Sequence, residues 1–322
     1  MTPELLIVVD TEEEFDWSAP FSREARATTS IPAQARAHEI YDRFGVVPTY
    51  VIDHPVATDP AAVAFLKGLR DAGKAEIGAH LHPWVTPPHV EEVTTRNSYQ
   101  CNLPPALERA KIETLTEAIE AAFGERPKAF KAGRYGFGPN TRQVLADLGY
   151  EVDCSLVPHT DFSGDGGPDF RGLPDRPHWL DEGRGLLEVP LTVGYIGALP
   201  TLGEKVAWLF DSPKAARLRV PGLLARTGLV ARSRLSPEGT PAAEQCRLIE
   251  ALAARGHRLF SLTYHSPSLA PGHTPYVKDE ADLADFLDRI ERVLAFFHDR
   301  MGGRFTTLGE VRARFPPQCA AA

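Results

Sequence analysis

A chain of 322 residues, 43% apolar and 24% charged, has ample material for a sizeable core, arranged as one barrel-sized domain or two small ones. Its net charge of −8 excludes general nucleic-acid binding, which needs clustered Lys and Arg to neutralise phosphates. Cys101, Cys154, Cys246 and Cys319 lie far apart with no Cys-x-x-Cys pair, which argues against a zinc knuckle or disulfide framework and for a reduced compartment.

The first strand starts within a few residues of Met1, with no basic leader or small-residue cleavage site before it. No apolar run approaches the length of a membrane span. The expectation is a cytoplasmic protein with no integral membrane segment.

Leu5 to Val9 read as a strand buried on both faces, ending in Asp10-Thr11-Glu12-Glu13-Glu14. A helix is expected from about Pro32 to Phe44, stopped by Gly45. Strand two, Val47 to Ile52, ends at Asp53-His54, and a short helix covers Ala61 to Ala72. Strand three, Ala75 to Ala79, ends at His80-Leu81-His82-Pro83-Trp84. Ile112, Leu115, Ile119 and Phe123 fall at helical spacing before Gly124. Strand four, Lys128 to Lys131, runs into Ala132-Gly133-Arg134-Tyr135-Gly136, and Asn140 is the expected cap of the next helix. Tyr150 to Ser155, Leu186 to Leu191 and Arg258 to Tyr264 are strands five, six and seven, the last ending at His265. A long helix, about Glu280 to His298, and a short strand, Arg304 to Leu308, complete the pattern.

Strands alternating with helices imply a parallel sheet, and this many units favour a barrel. The expected fold is therefore α/β: a parallel (β/α) barrel of seven or eight strands over residues 1–315, a single domain with a helical insertion at 198–238. That insertion is basic: Lys205, Lys214, Arg217, Arg219, Arg226, Arg232 and Arg234 face only Glu204 and Asp211 between Gly203 and Leu235. It would hold an anionic substrate, touch an acidic membrane surface, or simply present a solvated helical face.

Polar chemistry collects at the strand ends. Asp10, Glu12, His54, His80, His82, Arg134, Asp153 and His265 all sit at or just after carboxyl ends, the face that carries the active site of a parallel barrel. His80 and His82, two apart, can bind one metal ion from the same side, with Glu12 as carboxylate and an open position for water. Asp10 would act as general base beside that water, or be a second metal ligand or loop cap; His265 would act as general acid from the opposite side, or be a satisfied core histidine. Asp153 would orient His265 or Arg134, or be a structural carboxylate. Glu13 and Glu14 read as acids that solvate a strand end.

Five motifs resemble, in order, those of the polysaccharide deacetylases of the NodB-homology class (carbohydrate esterase family four). They are Val9-Asp10-Thr11-Glu12, Gly78-Ala79-His80-Leu81-His82-Pro83, Phe130-Lys131-Ala132-Gly133-Arg134-Tyr135-Gly136, Tyr150-Glu151-Val152-Asp153 and Leu262-Thr263-Tyr264-His265-Ser266-Pro267. The resemblance implies a distorted (β/α) barrel holding zinc or another divalent ion on Glu12, His80 and His82. It also implies Asp10 as base, His265 as acid, Lys131 or Arg134 as the cation holding the base, and Asp153 as the carboxylate behind the acid. The backbone N–H near Tyr135 would serve an oxyanion, and His54, Trp84 and Tyr135 would touch substrate. This sequence departs from the family in its Asp-Thr-Glu and its shortened His-x-His, so His89 or His54 is a reserve ligand. The implied activity is removal of an N-acetyl group from a sugar or glycan intermediate. The alternatives are hydrolysis of a non-sugar linear or cyclic amide, or a catalytically inactive glycan-binding barrel.

Overall fold

In the computed structural model, which describes residues 2–315 apart from 182, 184, 200–202 and 204, the first apolar run becomes β1 (Glu4–Thr11), with Leu5 through Val9 buried. A strand covered on both faces is what a parallel sheet under helices demands. Next to it, β2 (Thr49–Ile52), β3 (Glu76–Leu81), β4 (Ala129–Ala132) and β5 (Val152–Asp153) follow in order, each parallel to its neighbour. At the far edge β6 (His178–Asp181) runs antiparallel to β7 (Leu186–Glu188), which pairs in parallel with β5. A separate antiparallel pair, β8 (Val193–Ile196) and β9 (Ala231–Arg234), stands apart from this sheet. On the other side of β1 lies β10 (Leu259–His265), and β11 (Arg304–Phe305) pairs with the first residues of β1. The result is a curled, mostly parallel half-barrel, as the alternation of elements implied.

Helices α1 (Gln34–Phe44), α2 (His54–Thr58), α3 (Pro60–Asp71), α4 (Pro105–Phe123) and α5 (Pro139–Leu148) fill the crossovers between the early strands. Gly45 stops α1 at φ 67°, a left-handed angle that a side chain disfavours. The long connection between β8 and β9 carries α6 (Trp208–Asp211), α7 (Pro213–Arg217) and α8 (Val220–Arg226). Helix α9 (Ala242–Ala254) leads into β10, and α10 (Glu280–Ala295) and α11 (Leu308–Arg314) close the chain. None of the described helices is long and apolar enough to cross a membrane.

Several local expectations need correction. Strand five is two residues rather than six; the Cys154 N–H still reaches the Phe130 carbonyl at 2.9 Å, and from Ser155 on the chain turns to the side-chain hydrogen bonds described below. Asn140 does not cap α5; the cap is Gly138, and the Asn140 amide donates to Glu108 at 2.6 Å. The edge strand β6, the β8–β9 pair and helix α9 are further elements absent from the sequence reading.

The edges β10 and β6 do not pair with each other among the described residues. The seam beside β10 is bridged by the two roots of the β8–β9 excursion. The Ser261 N–H donates to the Thr192 hydroxyl at 2.8 Å, and the Thr263 N–H to the Leu235 carbonyl at 3.1 Å. Leu235 in turn donates to the Thr192 carbonyl, and Leu191 to the Leu156 carbonyl, both at 2.9 Å. Buried N–H groups that lack a neighbouring strand are satisfied in this way.

Candidate active site

Side chains alternate along an extended strand, so Asp10 and Glu12 leave the end of β1 on the same side. Register places His265 directly across from Asp10 on β10. His80 is the last residue but one of β3 and His82 follows its end, so the two imidazoles come from a strand two positions away from β1. These groups share one wall of a cavity of about 240 Å³, with Trp17, Tyr99, Tyr135, Phe162 and Tyr276 supplying aromatic surface.

Glu12 is buried, and one of its carboxylate oxygens stands 3.5 Å from His80 Nε2 and 3.4 Å from His82 Nε2. Its other oxygen, Oε1, has no hydrogen-bond partner among the described residues. Ligands about 2.0–2.1 Å from a tetrahedral ion stand roughly 3.3–3.4 Å from one another, so the spacing suits one small divalent cation. Both imidazoles are turned for that task. His80 Nδ1 donates to the Lys131 carbonyl at 3.0 Å and His82 Nδ1 to Glu13 Oε2 at 2.7 Å, which leaves each Nε2 with its lone pair. Burial pushes both imidazoles down, His80 well below the ordinary histidine value and His82 to about 4, so both are neutral. Burial, then the neighbouring carboxylates Glu13, Asp10, Asp53 and Glu238, push Glu12 well above the usual carboxylate range. A cation among these groups relieves that repulsion.

Asp10 is held differently. Lys131, fully buried on β4, donates to both its oxygens at 2.6 and 2.8 Å and to the Thr263 hydroxyl at 2.9 Å. Burial raises the Asp10 carboxyl, but Lys131, His80 and His265 outweigh it and keep the group below its ordinary value. It therefore stays ionised while Glu12 is the strained charge. His265 Nε2 lies 3.7 Å from Asp10, and its Nδ1 meets Glu238 Oε2 at 2.8 Å. Glu238 also accepts the His265 backbone N–H at 3.0 Å and the Ser268 hydroxyl at 2.6 Å. Burial lowers the His265 imidazolium, yet Glu238 and Asp10 hold its titration above the ordinary histidine value.

Of the two candidate cations on the β4 motif, Lys131 meets Asp10. Arg134 does not. It turns to the mouth, donating to Ser98 at 2.7 Å and Asp165 at 3.2 Å, with its guanidinium 4.1 Å from the Tyr99 ring centre. Arg134 and Tyr135 adopt left-handed φ of 51° and 60°, a strained turn of the kind found at ligand sites. Gly133, just before them, has no room for a side chain: a Cβ would stand 2.4 Å from His82 Cδ2 and from the Leu81 carbonyl.

Asp153 does not stand behind His265. It binds Ser155 through both oxygens and shares its buried position with Glu188, its partner in the β5–β7 ladder. Ser155 then accepts the Ala132 N–H at 2.8 Å, so Asp153 shapes the end of β4. The carboxylate at His265 is Glu238, in the turn after β9, where no strand-end signal marks it. Glu13 is likewise not a solvated acid. It is fully buried and accepts from His82 Nδ1 and from Trp84 Nε1, each at 2.7 Å, beside Asp53. Trp84 stacks on His82 at 4.2 Å and is buried, supporting the imidazole from behind rather than lining the cavity. His54 opens α2, half-buried and outside the lining; Tyr135 does line it, 5.6 Å from Lys131 Nζ. His89 is exposed and does not join the Glu12–His80–His82 group.

Neither a family model nor a curated protein matches this sequence. Solved structures do match. A protein from Mycobacterium smegmatis assigned to the polysaccharide deacetylases aligns over all of this chain and 96% of its own, at 18% identity and a TM-score of 0.54. The fold is that of a polysaccharide deacetylase. Puue allantoinase aligns over 96% of this chain and 89% of its own, at 16% identity and a TM-score of 0.55. A branching enzyme from Thermococcus kodakaraensis covers 99% of this chain and 72% of its own, at 14% identity and a TM-score of 0.53. A polysaccharide deacetylase, an allantoinase and a branching enzyme thus share one scaffold, so the chemistry has to be argued from the side chains.

Proposed function

We propose that this protein is a metal-dependent hydrolase that removes an N-acetyl group from a carbohydrate. The observation that carries the reading is the Glu12–His80–His82 cluster, with its bare buried carboxylate oxygen, set beside the Asp10–His265 pair. Glu12, His80 and His82 would hold one divalent ion, zinc by the chemistry of a two-imidazole, one-carboxylate set. Such an ion supplies Lewis-acid polarisation of the acyl carbonyl and acidifies water.

The chain's own groups do the rest. Asp10, kept ionised by Lys131, takes a proton from the attacking water as its oxygen bonds to the acyl carbon. His265, kept protonated by Glu238, gives its Nε2 proton to the departing nitrogen as the C–N bond breaks. The products are acetate and the free amine. The turn at Arg134 and Tyr135 offers a backbone N–H to the oxyanion. Trp17 and Tyr276 give aromatic surface against which a sugar packs.

Arg234 reaches the same wall and has no carboxylate ion-pair partner among the described residues. It supports a substrate carrying negative charge, such as a lipid- or nucleotide-linked sugar in the cytoplasm. A second reading, hydrolysis of a non-sugar amide, is favoured by one observation, the fold shared with an allantoinase. The test is metal content of the purified protein beside a His80→Ala, His82→Ala variant, with acetate release screened over acetylated sugars, ureides and acetylated polyamines. About one zinc per chain, lost in the variant, with turnover of sugars alone, is expected. Wild-type protein that takes up no divalent ion after supplementation would overturn the mechanism.

A further inference from the structure

The excursion between β8 and β9 does not look like the rest of the surface. Among the described residues, five of the nine exposed large apolar side chains belong to it: Leu199, Trp208, Leu218, Leu223 and Leu229. Leu218 is 76% exposed, Leu223 63% and Trp208 57%, well beyond the scattered exposure that needs no explanation. Interleaved with them are Lys205, Lys214, Arg217, Arg219 and Arg226, all exposed and none with a carboxylate partner among the described residues. Asp211, the acid within residues 205–229, is paired with Arg232 at 2.7 Å. A chain of net charge −8 thus concentrates unpaired positive charge and bare apolar surface on one short segment.

We propose that residues 205–229 dock this protein on an anionic lipid surface. Each half of the composition has a place there: cations at the headgroups, Trp208 at the interface, leucines in the acyl boundary. The competing occupants fit worse. A second copy would bring five unpaired cations against five, and nucleic acid has no use for four bare apolar side chains. The docking segment is continuous with the candidate active site. Its stem strands place Arg232 and Arg234 in a cavity of about 450 Å³ walled also by Tyr135 and Glu238. A protein docked in this way works on molecules presented at a bilayer.

The inference does not depend on the hydrolase reading, since vesicle binding is measured without substrate. The experiment is co-sedimentation of the full chain with phosphatidylcholine vesicles, with and without phosphatidylglycerol, at low and high salt. Binding is expected to require phosphatidylglycerol and to weaken with salt. The Arg217→Gln, Arg219→Gln variant should bind about 30-fold more weakly, at roughly fivefold per cation. Leu218→Ser with Leu223→Ser, which leaves the charge alone, should lose about tenfold. Trp208 should give a blue-shifted emission on binding that Trp208→Phe removes.

Absence of wild-type binding to anionic vesicles overturns the proposal, as does binding that neither variant weakens. Self-association abolished by the leucine changes, without vesicle binding, assigns the face to a second copy and also overturns it.

Discussion

Glu238 is the residue by which the structure most changes the chemistry, and Glu238→Gln isolates its charge. The amide retains an oxygen to accept from the His265 backbone N–H and from Ser268, so the turn keeps its shape. What disappears is a charge-assisted bond of 2.8 Å to His265 Nδ1, a class worth about 1.5–3 kcal/mol. The imidazolium is the form that gains from Glu238, so its loss moves the His265 titration down in pH. Proton donation then fails earlier on the alkaline side. We expect kcat/KM near neutrality to fall about 10–100-fold, with the alkaline limb of the pH profile displaced to lower pH. The same shift should be visible without any substrate, by NMR titration of the His265 ring in wild type and variant. An unmoved His265 titration, or an alkaline limb that stays put while activity falls, would refute the assignment of Glu238 as the partner of the acid.

Other outcomes follow from neighbouring contacts. Lys131→Met leaves Asp10 buried without its cation and should cost about 3–5 kcal/mol in urea unfolding at neutral pH. That loss should shrink as pH falls into the carboxylate range, because a neutral Asp10 no longer needs a partner; a pH-independent loss would contradict the pairing. Glu13→Gln keeps the fold but removes the charge that orients His82, and should weaken metal affinity about 10–100-fold in chelator competition. Gly133→Ala pushes a methyl into His82 and the Leu81 carbonyl; about 1–3 kcal/mol of destabilisation and weakened metal uptake are expected by thermal melting and calorimetry.

The parallel strands and their polar ends were legible because each signal is local. An apolar run ending in Asp10 or His80 fixes a buried strand and the side on which its last residues emerge. Glu12, His80 and His82 come together as their spacing implied. The groups that support them were not legible, for two physical reasons. Glu13 looks like one more acid at a strand end, and only its bonds to His82 and Trp84 separate it from a solvated one. Glu238 is 27 residues from His265, in a turn whose position is set by a hairpin that the sequence hid among helical apolar residues. Asp153 carried the right residue type at the right strand, but its carboxylate is taken up by Ser155. Lys131 and Arg134 could not be ranked from spacing, because the left-handed turn after β4 sends the arginine outward.

The stitched seam beside β10 divides the excursion into two parts with unequal freedom to change. Its roots, Thr192 and Leu235, complete the hydrogen bonding of β10, and the turn just beyond the second root delivers Glu238 to His265. Its tip, from 205 to 229, touches neither task. A lineage can therefore swap the tip for another sequence without disturbing the Asp10–His265 wall. An engineer who grafts there should cut between the root and the tip; a cut at the root takes Glu238, the partner of His265, away with the graft.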